Sequence, residues 1–140
     1  MACMALPDFH DFHRGDTVPV FHFSVSAAEA RAYLDATGDE HAALWTETVP
    51  PLAAGALMLA GLMDEVPLPP GAVHIGQDFE FVAPIAVDAD IEARLTIAQQ
   101  SLRGGSNVVV FGSEMTSGGR VVMRGRTMIT APARTDEVAK

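Results

Sequence analysis

The sequence predicts an α+β domain in which a curved antiparallel sheet wraps a central buried helix. Three observations carry that expectation. From Leu52 to Met63 no residue has a charge or a polar side chain, so a helix there has no polar face and is expected to be buried on nearly all sides. After it, between Val73 and Thr130, apolar and polar residues alternate in runs separated by turn residues, which is the pattern of half-buried strands. The only cysteine is Cys3, so no intrachain disulfide or cysteine metal cluster can hold the chain, and its stability must come from a core.

The totals agree with one domain. A chain of 140 residues, 49% hydrophobic and 19% charged, is long enough for a sizeable core and too apolar to be disordered. A net charge of −9 opposes nucleic acid phosphates and anionic membrane surfaces, so neither is an expected partner. The start, MACMALPDFHDFH, lacks the basic residues and long apolar stretch of a secretion signal, which makes the cytoplasm the expected location.

Residues 1–16 read as an irregular lead-in with Pro7, Gly15 and three acids. His10 and His13 would share one turn of a helix, but no third ligand stands near, and no metal is expected there. Val18 to Val25 is rich in Val and Phe and reads as a strand. Ser26 followed by Glu29 is a capping box, opening a short helix with Ala30, Tyr33 and Leu34 on one side and a stop near Gly38. Asp39 to Thr48 is a polar, irregular link.

Pro50 and Pro51 then open the central helix without losing a hydrogen bond, and Pro67, Pro69 and Pro70 forbid its continuation. Its apolar part is too short, at about 1.5 Å per residue, to cross a bilayer of roughly 30 Å. In the run Val73–Val82, Val73, Ile75, Gln77, Phe79 and Phe81 point one way, with His74, Asp78 and Glu80 opposite. Asp90–Gln100, Val108–Thr116 and Val121–Thr130 are the later strands, joined by turns at Arg103–Ser106 and Ser117–Arg120 whose paired glycines permit positive φ. The domain spans 17–131, and 132–140 reads as a flexible tail. A meander of four strands can curve around one helix through its own twist, and its open edges invite pairing in a dimer.

Three stretches in this order resemble the hotdog fold, and within it the MaoC-like (R)-specific enoyl-thioester hydratase and 3-hydroxyacyl-thioester dehydratase family. They are Arg14-Gly15-Asp16 with the Ser26-led helix ending Ala36-Thr37-Gly38-Asp39, Val49-Pro50-Pro51 leading into the central helix, and Leu68 to Phe81 with Pro84-Ile85 beyond. The resemblance implies a single hotdog domain working as a homo- or heterodimer on an acyl thioester, carried on coenzyme A or a carrier protein. It implies no cofactor and no metal. The family's catalytic signature resembles G-D-x-N-P-x-H, whose aspartate and histidine share the proton transfers of adding or removing water.

Here that segment is Gly38-Asp39-Glu40-His41-Ala42-Ala43-Leu44. The resemblance makes Asp39 the retained catalytic carboxylate and puts Leu44 at the histidine position. Two explanations follow. Either the chain is the degenerate subunit of a heteromeric enzyme, or His41 or His74 supplies the missing base. Ordinary loop or surface positions account for both histidines as well, and a turn-holding role accounts for Asp39.

Gly55 falls where the family's helix offers an N–H to the thioester, and it equally suits close helix–sheet packing. Trp45 either walls an acyl tunnel or anchors core or interface. Met58, Met63, Met115, Met123 and Met128 suit a tunnel or plain core filling. Arg103, Arg120, Arg124 and Arg126 suit the phosphates of a pantetheine carrier or a solvated strand face. The competing readings are a non-catalytic acyl-binding or structural hotdog partner, and an acyl-CoA thioesterase. The thioesterase is disfavoured because the helix carries no carboxylate between Leu52 and Met63.

Overall fold

The computed structural model describes residues 8–45 and 47–134, without the side chains of Ala42 and Leu44. Cys3 and the tail beyond Arg134 lie outside the described residues. Five strands form one antiparallel sheet in the order β1-β3-β4-β5-β2, with β1 at Phe21–Phe23, β2 at Val73–Phe81, β3 at Ile91–Arg103, β4 at Ser106–Ser117 and β5 at Arg120–Pro132. Helices α1 (Ala27–Thr37) and α2 (Pro51–Glu65) complete it. The sheet is curved, as expected.

Local chemistry sets most of these boundaries. In α1 the Ser26 hydroxyl accepts from the Glu29 N–H and the Glu29 carboxylate accepts from the Ser26 N–H, which satisfies two otherwise free helix donors. Gly38 ends α1 in the left-handed conformation at φ 66°. Gly104 and Gly105 (φ 55° and 80°), then Gly118 and Gly119 (φ 60° and 77°), make the two tight hairpins. Both central residues of such a turn need positive φ if the flanking strands are to keep their twist.

Those hairpins fix β3, β4 and β5 side by side, with β4 in the middle. β2 pairs with β5 and not with its neighbour in sequence, β3. The expected four-strand meander is therefore a three-strand meander with β2 added across it. Loop residues 82–90 make the crossing and are tied down on the way: Val49 N–H donates to Ile85 O at 2.8 Å and Val87 N–H to Glu47 O at 3.0 Å.

Three further expectations are corrected. The strand expected over Val18–Val25 is only Phe21–Phe23; Val18 and Val25 are buried but flank it as non-strand chain, Val18 N–H donating to Leu95 O. The lead-in contributes to the core, because Phe9 and Phe12 are buried and Phe12 meets Phe111 edge-on at 5.8 Å. The central helix is not enclosed on all sides. Ala53, Ala54, Gly55, Met58 and Leu62 are buried, whereas Leu52, Ala56, Ala60 and Met63 are exposed.

The core lies between the inward residues of the sheet and the buried face of α2. Ile91, Ala93, Leu95 and Ile97 of β3 face it as their alternation predicted. Met58, Met115 and Met123 are all fully buried within it, each contributing roughly 1.5–3 kcal/mol by leaving water. The sheet's outer face carries alternating charge. Arg94, Glu114, Arg124 and Glu80 stand in one row across β3, β4, β5 and β2, and Arg124 pairs with Glu114 at 3.4 Å. Arg124 and Arg126 thus sit on a solvated strand face, one of the two readings their sequence positions allowed. Among the described residues no helix is long and apolar enough to cross a membrane.

Candidate functional site

A cleft of about 330 Å³ opens at the N-terminus of α2. It exists because three chain segments converge there: the link before the helix, the end of β2, and the loop that crosses toward β3. Trp45, Val49 and Pro51 form one wall, Phe81 and Met123 the other, and Ile85 lies beneath. The backbone bonds between 47–49 and 85–87 hold link and loop together. Pro50 caps α2 without a side-chain hydrogen bond, so the positive end of the helix dipole is not neutralised by a side chain. Among the described lining residues none is titratable; Thr48 and the Trp45 indole are the polar side chains. Such a space accepts an apolar chain and offers no proton donor or acceptor of its own with a carboxyl or imidazole group.

The expected site residues are spread across the fold. Trp45 lines the cleft. Asp39 follows the Gly38 cap of α1, and its Oδ1 accepts from the His41 N–H at 2.7 Å. That bond makes an Asx-type turn, and both side chains are exposed. Neither lines the cleft. The backbone of Leu44 lies in the short 3-10 turn Ala42–Trp45, while its side chain is outside the described atoms.

Gly55 is buried in α2. As the fifth residue of the helix it belongs to the internal hydrogen-bond ladder, since only the first turn leaves donors free. A Cβ there would stand 2.7 Å from the Phe79 ring, so this glycine lets strand β2 approach the helix. His74 sits near the start of β2, while the cleft is at its end, roughly 20 Å further along at about 3.3 Å per residue.

The side that His74 occupies differs from its sequence alternation. The register of β2 against β5 slips between His74 and Gly76. One extra residue turns His74 onto the face of Gln77 and away from Asp78 and Glu80. There His74 Nε2 meets Gln77 Oε1 at 3.2 Å, and the hydroxyl of fully buried Thr127 donates to the same oxygen at 2.7 Å. A bulge inside an alternating run leaves no mark in the pattern, so this polar cluster was not legible beforehand. Phe81 was equally hidden as a cleft residue, because it reads as an ordinary inward strand position, whereas Met123 was among the methionines suited to a tunnel or to core filling. Among the described residues no three His, Cys, Asp or Glu side chains gather where a metal ion would sit.

No protein-family model and no curated protein matches this chain; its likeness to known proteins is structural. A MaoC-like dehydratase from Rhodospirillum rubrum superposes with a TM-score of 0.73 at 19% identity, over 90% of this chain and 97% of that one. The R-hydratase PhaJ1 from Pseudomonas aeruginosa gives 0.69 at 20% identity, over 89% and 84%. The HadBC (3R-hydroxyacyl-ACP dehydratase) complex from Mycobacterium tuberculosis gives 0.65 at 23% identity, over 88% and 100%. The chain has the hotdog fold, in the form seen in MaoC-like dehydratases and (R)-hydratases.

Proposed function

We propose that this chain binds an acyl thioester and serves as one subunit of a hydratase or dehydratase that interconverts 3-hydroxyacyl and enoyl thioesters. The observation that carries the reading is the mainly apolar cleft at the α2 N-terminus, walled by Trp45. An acyl chain gains by leaving water there, and the helix end beside it favours the negative charge that develops on a thioester oxygen during proton removal from the adjacent carbon. In this reading Asp39 is the retained carboxylate. One of its oxygens is engaged by the His41 N–H and the other is left to hold a water. His41 is the nearest imidazole in sequence, Gly55 keeps the helix close to the strand, and His74 is a binding residue at the far end of β2. Because the cleft lining has no base, the second proton-transfer group comes from a partner subunit.

The free edge of β2 is where that partner fits best. Val73, Ile75 and Phe81 on this edge strand are 54%, 48% and 44% exposed, and an unpaired apolar edge is a template for another strand. The same unarmed lining favours a second reading, an acyl-binding hotdog partner with no chemistry. Hydrolysis of the thioester is disfavoured, since the first turn of α2 holds no acidic residue.

Hydration of a short trans-2-enoyl-CoA separates these readings when followed for the chain alone and with whatever hotdog subunit co-purifies from its own cells. The expected result is turnover with the partner, lowered by Asp39→Asn by about 10²–10⁴-fold, the usual worth of a general acid or base. Turnover indifferent to that substitution removes Asp39 from the mechanism. Binding without turnover in any pairing leaves the non-catalytic reading.

A further inference from the structure

Phe79 fills a slot bounded by two glycines. A Cβ on Gly55 of α2 would stand 2.7 Å from its Cε2 and Cζ, and a Cβ on Gly125 of β5 would stand 3.1 Å from its Cδ1. A side chain at either position would press on the ring where it lies, so the two glycines leave room between helix and sheet for one flat group, which Phe79 occupies. Beside the slot is Ser113 of β4, paired with Gly125 across the ladder. Ser113 is 6% exposed, and its buried Oγ has no hydrogen-bond partner. That oxygen lies 2.9 Å from the same Cβ position on Gly125 that the Phe79 ring crowds. A buried hydroxyl left unpaired is costly, and native structures rarely tolerate one without a ligand or water to answer it.

The ring also adjoins a wall of the cleft. Phe79 stacks on Phe81 with centroids 5.9 Å apart. Phe81 and Met123, which oppose each other in the ladder, are cleft walls. The next inward-facing pair along the same two strands is Phe79 and Gly125. The ring therefore stands one inward rung beyond the cleft wall, in the same rung as Gly125 and Ser113. It is only partly buried, which leaves it room to turn.

We infer that Phe79 is a displaceable plug, and that the slot it fills admits, when the ring turns out, the outer part of an acyl chain bearing a hydroxyl, which hydrogen-bonds to Ser113 Oγ. The inference rests on the acyl-thioester reading above and adds to it a chain-length stop and a preference for a hydroxylated chain. A plain alkyl chain fills the slot but leaves Ser113 without a partner; a chain hydroxyl supplies one. No bond is made or broken in this step, and the ring and the ligand simply exchange places.

Calorimetric titration of wild type, Phe79→Ala, Phe79→Leu and Ser113→Ala with a series of saturated acyl-CoA thioesters, and with octanoyl-CoA against its monohydroxylated forms, tests it. Phe79→Ala is expected to tighten the longer chains about tenfold over wild type, the worth of two more buried methylenes, with butanoyl-CoA unchanged. Phe79→Leu gives the same direction to a smaller extent and covers the case in which the alanine variant does not fold. In Ser113→Ala the preference for one hydroxylated octanoyl form is expected to vanish while octanoyl-CoA binds as before. Acyl-CoA binding whose length profile ignores both Phe79 variants overturns the plug alone. A hydroxyl preference that survives Ser113→Ala, or that is absent from wild type, overturns the assignment of Ser113. Failure of every acyl-CoA to bind any of the four proteins overturns the acyl-thioester reading together with the inference.

Discussion

Leu62 and Met63 are neighbours in sequence, one on the buried and one on the exposed side of α2, and replacing each with alanine measures how that helix is covered. Leu62 is 1% exposed and Met63 is 44% exposed. Leu62→Ala removes buried methyl groups and leaves a cavity against the sheet, at a cost of about 3 kcal/mol. In a domain of this size that lowers the melting temperature by about 10 °C. Met63→Ala removes a side chain already largely in water, at a cost of about 1 kcal/mol or less. Urea unfolding followed by circular dichroism, repeated at a low and a high protein concentration, reads both values. At low concentration the Leu62 loss is expected to exceed the Met63 loss clearly. A Met63 loss that grows with concentration shows a partner molecule covering the outer face of the helix. Equal losses at low concentration would refute the one-sided burial and restore the fully wrapped helix that an uncharged run suggests.

Ser26→Ala removes the reciprocal cap of α1 and is expected to cost about 1 kcal/mol, with faster amide exchange confined to the first turn of that helix. Gly61→Ala would normally strengthen a helix interior by about 1 kcal/mol, but its Cβ would overlap the Phe21 ring of β1. The variant is expected to melt lower than wild type, with Phe21→Leu restoring part of the loss. Trp45 is the single tryptophan and lines the cleft, so saturating octanoyl-CoA is expected to shift its emission while coenzyme A alone does not. An emission spectrum unchanged on demonstrated binding would put the acyl chain somewhere other than this cleft.

How much of this was readable beforehand depends on how local the cause is. Ser26 with Glu29, the two prolines opening α2, and the two Gly-Gly turns act within a few residues of themselves, and each did in three dimensions what its chemistry predicted. The inward row Ile91, Ala93, Leu95 and Ile97 was readable for the same reason, since a strand of unbroken alternation has one choice of buried face. The bulge at Ile75 broke that rule in β2 and moved His74 to the other side, because one inserted residue leaves composition and period almost unaltered. The site was less legible than the fold. Trp45 could be singled out as a rare, large side chain in a polar link, whereas the Phe79 slot depends on Gly55 and Gly125 meeting across 70 residues of chain.

By itself the sequence determined the class of the fold, the limits of both helices, and which hairpins close. Those are settled by capping groups, prolines, glycines and alternation acting over a turn or two. Only the tertiary structure decided that β2 joins β5, which face of α2 stays uncovered, and that Phe9 and Phe12 enter the core. Each of these is a competition between distant apolar surfaces for the same neighbour, and an apolar run favours all such neighbours alike until the rest of the chain has taken its place.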